Sequence, residues 1–314
     1  DLSFHRILLS YVFSNERRSM KYKEFLQTIE TEIKKKLEDG YSLKIHPVKK
    51  NNGKIYDGLL IINPSFNIAP AIYLNPYYHW YLDGVSINDI VDSIISSYKE
   101  VLPKQNFDIT SVYDYSLAKS HIIMKLVNYE QNKNELMSMP HVKYLDLAVI
   151  FLYYIDSAGS ELCTLKITNA LLEEWKISMR QLMEDAITNT EKKLPYSLIN
   201  MEDVVPVSRE LINSSGIDPM MLILTNQYKI YGATTMLYPG ILKKISDKLD
   251  SDLVLIPSSI HEFLVLPRTI HDDIPTLNSF INEVNSTEVT DEEILSDHVY
   301  IYSRKKQADR KSVV

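Results

Sequence analysis

The densest group of side chains that could do chemistry lies in residues 251–267, SDLVLIPSSIHEFLVLP, where two apolar runs of strand length flank a polar step. The polar step holds Ser258, Ser259, His261 and Glu262. A histidine with a carboxylate partner is suited to general acid–base catalysis near neutral pH. The segment therefore predicts a buried hairpin with a polar middle, and it makes His261 the first candidate catalytic residue.

His261 and Glu262 do not complete a known motif. They match the start of the zinc-peptidase pattern HExxH, but Val265 occupies the position of the second histidine ligand. Neighbouring residues on a strand point to opposite faces, so we expect His261 to share a face with Phe263 and Val265, and Glu262 to lie on the other face. The two side chains then cannot pair without a bulge.

A catalytic role for His261 requires a partner from elsewhere in the chain. Asp146, which precedes the apolar run LAVI, is the candidate carboxylate, and His141 is a further candidate partner. The competing interpretation is a structural histidine that hydrogen-bonds to the backbone near Pro257.

An aromatic stretch is the second candidate site. Tyr73, Tyr77, Tyr78, His79, Trp80 and Tyr81 lie between a predicted strand and the next helix, in a chain with 21 tyrosines. Tyrosine and tryptophan are enriched where binding energy concentrates, so Tyr77, Tyr78 and Trp80 form a candidate surface for a protein or a planar ligand. The alternative is that these large side chains fill the space between a helix and a small sheet.

Other chemistry is disfavoured. The chain contains no GxxxxGK[ST], GxGxxG or GxSxG motif, and its 8 glycines leave little material for a phosphate-binding loop. The acidic stretch 272–297 lacks the spacing of a calcium loop. Cys163 lies among apolar residues of a predicted strand, where we expect a buried, inert thiol. We therefore predict no metal and no cofactor.

Composition limits the class of protein. A net charge of −7 disfavours nucleic acid as a partner, because phosphate binding needs clustered Lys and Arg. The single cysteine fits a reducing, cytoplasmic environment. The chain has no apolar run of about 18 residues, so no membrane span is expected.

Both ends resemble translated non-coding DNA. Residues 16–20, ERRSM, back-translate to a purine-rich string before a start codon, so we expect 1–19 to be non-native and Met20 to be the start. Residues 309–314 resemble translated sequencing adapter, as expected for a metagenomic sequence.

Periodicity predicts an α+β protein in two parts. Residues 20–105 form an α-β-β-β-α unit, with a hairpin turn at Asn51, Asn52 and Gly53. Residues 116–303 form a larger antiparallel sheet of hairpins covered by helices. This second part includes a predicted hairpin of strands at 220–224 and 229–235, a short helix near 207–213 and the hairpin 251–267.

Five motifs in the same order carry a family resemblance. They are YLNPYY at 73–78, KLVNYE at 125–130, DLAVI at 146–150, LYPG at 237–240 and LIPSSIHE at 255–262. Together they resemble the bacterial family catalogued as domain of unknown function 5688, over about residues 20–302. The resemblance implies a bacterial, cytosolic protein with no assigned activity or catalytic residues.

Two hypotheses of different classes follow. The first and preferred one is a non-enzymatic binding or regulatory protein that engages a protein or small molecule through its aromatic surface. The second is a metal-independent hydrolase or transferase that uses His261 with a carboxylate from another strand.

Overall fold

The chain folds into two compact units, each built from helices and antiparallel strands. The computed structural model describes residues 20–102, 105–158, 161–204, 221–268, 273–305 and 308–311. The first unit includes Ile55–Phe107 and the chain up to Lys49; the second comprises Lys50–Lys54 and Asp108–Val314. The α+β class is confirmed. Residues 1–19 and 312–314, which include most of the predicted non-native ends, lie outside the described residues.

The first unit is a three-stranded antiparallel sheet packed against helices. Its core includes Phe25, Ile29 and Ile33, which repeat every four residues and so lie on one face of the first helix. An additional short helix, α2, forms where the sequence predicted only an aromatic link, because a proline near its start suits the first turn. The elements are α1 (Tyr22–Lys36), β1 (Ser42–Lys49), β2 (Ile55–Ile62), β3 (Ala71–Tyr73), α2 (Asn75–Leu82) and α3 (Ile87–Glu100).

The predicted turn between β1 and β2 is confirmed. The two strands pair antiparallel from Ser42↔Ile62 to Lys49↔Ile55. Asn52 and Gly53 both adopt positive φ, 57° and 69°, a backbone conformation that asparagine and glycine tolerate best.

The second unit begins with a four-stranded antiparallel sheet. Its long strand β6 pairs with β4 along one edge, and with β5 and β7 along successive stretches. The elements are α4 (Thr110–Tyr113), α5 (Tyr115–Ala118), β4 (Ile122–Asn128), α6 (Lys133–Leu136), β5 (His141–Tyr144), β6 (Leu147–Ala158), β7 (Glu161–Lys166), α7 (Asn169–Trp175) and α8 (Met179–Lys193).

Cys163 is exposed, so the prediction of a buried thiol was wrong. Its neighbour Leu162 packs against the apolar cluster of this sheet. Because side chains alternate along a strand, Cys163 points to the opposite face.

A second sheet of six strands completes this unit, where the sequence had predicted a single sheet. Its order is β13-β12-β10-β11-β9-β8, and α11 packs on one face through Ile274 and Ile281. The elements are β8 (Tyr196–Asn200), α9 (Met201–Val204), β9 (Leu222–Asn226), α10 (Ile241–Leu249), β10 (Leu253–Ser259), β11 (Glu262–Pro267), α11 (Ile274–Thr287), β12 (Tyr300–Ser303) and β13 (Ala308–Lys311).

The prediction of a hairpin between 220–224 and 229–235 was wrong. β9 pairs with β8 and β11, and the chain after it forms a 3₁₀ helix at Gly232–Leu237. Lys229 and Tyr231 have φ of 56° and 53°, values that no strand accommodates. The helix predicted near 207–213 lies outside the described residues.

Substitution of two phenylalanines in the second unit tests where the core of that unit lies. Phe263 is fully buried and contacts the ring of Tyr300 edge-on, whereas Phe280 on α11 is 55% exposed. We expect Phe263→Ala to lower the free energy of unfolding by about 3–5 kcal/mol, because it leaves a cavity. The control Phe280→Ala should change it by less than about 0.5 kcal/mol. Urea denaturation measures both values, and equal effects would contradict this packing.

Candidate functional site

The hairpin predicted at 251–267 is confirmed, but His261 lies at its tip. β10 and β11 pair from Leu253↔Pro267 to Ser259↔Glu262, with an irregularity between Pro257 and Ser259. His261 therefore belongs to the turn, and the expectation that it shares a strand face with Phe263 was wrong. The backbone N–H of His261 donates to Ser259 Oγ at 3.0 Å, which fixes the turn.

Glu293 is the carboxylate that faces His261. His261 Nε2 lies 3.5 Å from Glu293 Oε1, and both side chains are partly exposed. Thr290 donates its hydroxyl to Glu293 Oε2 at 2.8 Å, and the backbone N–H of Ile260 donates to Glu293 O at 2.8 Å. Thr290 thus orients the Glu293 carboxylate, and Ile260 holds the Glu293 backbone at the hairpin tip.

Both nitrogens of the His261 ring have partners. The backbone N–H of Tyr231 donates to Nδ1 at 3.2 Å, so the neutral ring carries its proton on Nε2, toward Glu293. Burial lowers the pKa of His261, and the charge of Lys125 lowers it further, while the charge of Glu293 opposes the shift.

Asp146 occupies a different environment. Ser296 donates its hydroxyl to one oxygen of the Asp146 carboxylate and Tyr300 donates to the other, both at 2.8 Å. Burial and the adjacent charge of Asp146 raise the pKa of the Tyr300 hydroxyl. The other predicted partner, His141, places Nδ1 2.9 Å from the carbonyl of Met139. These contacts fix local structure around the two residues.

A strained loop places Tyr231 beside His261. Asn226 is buried, and its side chain accepts the N–H of Tyr228 at 2.9 Å and donates to the carbonyl of Ile230 at 2.7 Å. The backbone of the loop thus surrounds the side-chain amide of Asn226. Tyr231 is the last residue of the loop, and its φ is 53°. The ring of Tyr231 then stacks on His261 with 6.0 Å between centroids and 17° between planes. Strained backbone of this kind is concentrated at functional sites.

Gly232 allows the loop to pass close to β9 and the hairpin tip. A Cβ at this position would lie 2.8 Å from the backbone nitrogen of Asn226 and closer still to Thr225 Oγ1 and the carbonyl of His261. No other residue fits there without movement of the backbone.

Lys125 reaches the same tyrosine from the four-stranded sheet. It lies in β4, between residues whose backbone N–H groups donate to buried threonines: Met124 to Thr190 Oγ1 at 2.8 Å and Leu126 to Thr234 Oγ1 at 3.1 Å. The ammonium of Lys125 lies 4.1 Å from the centroid of the Tyr231 ring, within range of a cation–π interaction. Lys125, Tyr231, His261 and Glu293 are hereafter called the Lys125 site.

The electrostatics of Lys125 are unusual. Its side chain is partly exposed, and within the described residues Nζ makes no hydrogen bond or ion pair. Burial lowers its pKa from 10.5 to about 7, and the charges of Lys166 and Lys50 contribute in the same direction, while the charges of Glu292 and Glu135 oppose the shift. Those two lysines face carboxylates of their own, Glu135 and Glu292.

Two features of the sequence point to this site, although neither matches a known motif. Lys125 is the lone charge in the apolar run IIMKLV, and it begins one of the motifs that carry the family resemblance. Tyr231 directly precedes a glycine. Glu293 had no distinguishing signal, because it belongs to an acidic stretch of typical surface composition.

The aromatic candidates of the first unit divide between core and surface. Tyr77 and Tyr78 pack against the core of this unit, and Tyr78 donates its hydroxyl to the carbonyl of Met20 at 3.1 Å. Trp80 is 45% exposed and contacts Tyr77 edge-on at 5.1 Å.

In the described part of the chain, no group of three or more His, Cys, Asp or Glu is arranged to hold a metal ion. No helix among those residues is long and apolar enough to cross a membrane.

The fold and the site together define an α+β protein with a lysine-centred polar site. A family of unknown function, DUF5688, has a model that matches residues 22–304, so the chain belongs to this family and the predicted resemblance is confirmed. Comparison with curated proteins and with solved structures gave no match.

The pKa of Lys125 can be tested by measuring how the free energy of unfolding depends on pH. Below pH 7 the lysine is charged in both states and burial of the charge destabilises the fold. Between about pH 7 and 10.5 the unfolded chain binds the proton and the folded chain does not, so stability rises with pH. Lys125→Met should therefore be more stable than wild type at pH 7, and the difference should shrink by up to about 1.4 kcal/mol per pH unit above it.

Urea denaturation of both proteins from pH 6 to 10 measures the difference. Lys143→Met is the matched control, because Lys143 also lies 4.1 Å from a tyrosine ring, that of Tyr129, but is exposed. A constant difference between Lys125→Met and wild type across this range would contradict the shifted pKa.

Proposed function

We propose that the protein binds a small anionic molecule at the Lys125 site. The observation that carries the proposal is the cation of Lys125, which is desolvated yet has no carboxylate partner among the described residues. A desolvated charge is expensive unless it is paired. An anion that reached Nζ would provide the missing partner.

The surrounding charges support this interpretation. Lys166 and Lys50 add positive charge near Lys125, and their ion-pair partners Glu135 and Glu292 act on it in the opposite direction, but neither carboxylate forms an ion pair with Lys125. The ring of Tyr231 gives the ligand an aromatic wall with a polar tip. A strongly perturbed lysine beside a strained loop is a physically motivated site candidate.

The contacts of His261 favour binding over acid–base catalysis. In a catalytic pair, the carboxylate holds one ring nitrogen and the other nitrogen faces the reacting proton. Here the second nitrogen accepts the backbone N–H of Tyr231. The hydrolase or transferase hypothesis could pair His261 with Glu293 in place of Asp146. His261 would still lack a ring nitrogen with a free lone pair, which a general base requires. We assign His261 and Glu293 to positioning Tyr231.

Anion binding is tested by titrating the protein with acetate, glycolate, citrate and inorganic phosphate at pH 6.5. Isothermal titration calorimetry measures the affinity, and thermal unfolding measures the stabilisation by each anion. Lys125→Met should weaken binding by about tenfold or more, because a charge-assisted contact is lost. Affinity should fall as the pH rises through about 7, where Lys125 loses its charge.

Lys143→Met should bind as wild type does, since Lys143 is exposed on a different strand. Binding that survives in Lys125→Met, or the absence of binding for all four anions, would contradict the proposal.

A second candidate is a protein-binding surface at α2. The specific observation is the exposure of Trp80, with Leu82 at 48% and Val85 at 36% nearby in the chain. Because Tyr77 and Tyr78 pack on the core, this surface would depend mainly on Trp80.

Quenching of tryptophan fluorescence tests whether this surface is accessible. Trp80 and the buried Trp175 are the two tryptophans of the chain. Acrylamide should quench Trp80 in a Trp175→Phe variant much more strongly than Trp175 in a Trp80→Phe variant. Equal protection of the two residues would exclude Trp80 as a docking surface.

We also propose a bacterial, cytoplasmic protein. The single cysteine, which is exposed, is compatible with a reducing compartment. The net charge of −7 supports a partner other than nucleic acid.

A further inference from the structure

We propose that Lys125 forms a reversible imine with a small anion that carries a carbonyl group, such as a 2-oxo acid or an anionic aldehyde. The inference rests on the proposed function, because it names the class of ligand held at the same site. It requires an amine that is not ion-paired on a side chain that reaches the surface: the side chain of Lys125 is partly exposed, and within the described residues Nζ makes no hydrogen bond or ion pair.

The amine must be neutral to act as a nucleophile. A lysine in water is neutral in roughly one molecule in three thousand at pH 7, from its ordinary pKa. With its pKa lowered to about 7, Lys125 is neutral in about half of the molecules at that pH. Desolvation of a lysine is a general way to activate this nucleophile.

The reaction balances without an oxidant or a reductant. The lone pair of Nζ attacks the carbonyl carbon, the carbon–nitrogen bond forms, and the electron pair of the C=O π bond moves to oxygen. That oxygen takes up protons from solvent and Nζ releases its own. The oxygen then leaves as water, which gives the imine and one water from one amine and one carbonyl.

The site suits the product as well as the reactant. A protonated imine is a cation at the position of the ammonium, so the ring of Tyr231 at 4.1 Å can stabilise it in the same way. The N–H of Tyr231 bound to His261 and the loop around Asn226 hold this ring in place before the ligand arrives. The charges of Lys166 and Lys50 near the amine would attract the negative charge of the ligand, and those of Glu292 and Glu135 would oppose it.

Reductive trapping on the wild-type chain tests the inference. The protein is incubated with glyoxylate at pH 7.5, reduced with sodium borohydride, digested and mapped by mass spectrometry at each lysine. We expect carboxymethylation of Lys125 at least tenfold above that of Lys143, the exposed lysine with the same ring distance. Labelling should increase from pH 6 to 8, opposite to the non-covalent affinity for glycolate.

Glycolate, which has the carboxylate but no carbonyl, separates the two proposals. If Lys125 is labelled preferentially and glycolate suppresses the labelling, both the anion site and the imine are supported. Equal labelling of Lys125 and Lys143, with glycolate still bound, overturns the imine and leaves anion binding intact. Preferential labelling that glycolate does not suppress supports a reactive amine and contradicts the anion site.

Discussion

The outer edge of β4 is the constraint on which the second unit depends. Backbone N–H groups that are buried without a partner cost several kcal/mol, and among the described strands β4 pairs with β6 alone, along one edge. Thr190 and Thr234 supply hydroxyl oxygens to Met124 and Leu126 on the other edge. Because Thr234 belongs to the 3₁₀ helix that follows Tyr231, this hydrogen bond also brings the tyrosine to the strand of Lys125.

The polar hairpin tip has a structural role in this arrangement. The carbonyl of His261 accepts the hydroxyl of Thr225 at 2.8 Å, its ring accepts the N–H of Tyr231, and Gly232 passes against both. His261, which the sequence presented as a catalytic candidate, thus stabilises a strained loop. This loop places the ring of Tyr231 beside Lys125. The chemically unusual group of the site is the lysine.

Local patterns were predictive where neighbouring residues decide the conformation. The four-residue repeat of Phe25, Ile29 and Ile33 predicted a helix, and Asn52 with Gly53 predicted a hairpin turn. The prediction failed at 229–235, where apolar residues resembled a strand. There the buried side chain of Asn226 hydrogen-bonds to the backbone and imposes a left-handed loop, an effect that local propensity does not contain.

Residue patterns were sufficient to predict the α+β class, the family and the main hairpins, and they contain the lone lysine of an apolar strand. Which groups meet was visible only in the folded chain: Glu293 rather than Asp146 lies at His261, and Tyr231 lies at Lys125. The physical reason is that strand periodicity fixes the side-chain direction within a segment, whereas burial and pairing depend on segments far apart in the chain. The shifted pKa of Lys125 arises from that burial and from charges on other segments, so the apolar strand marks the residue but does not determine the size of its shift.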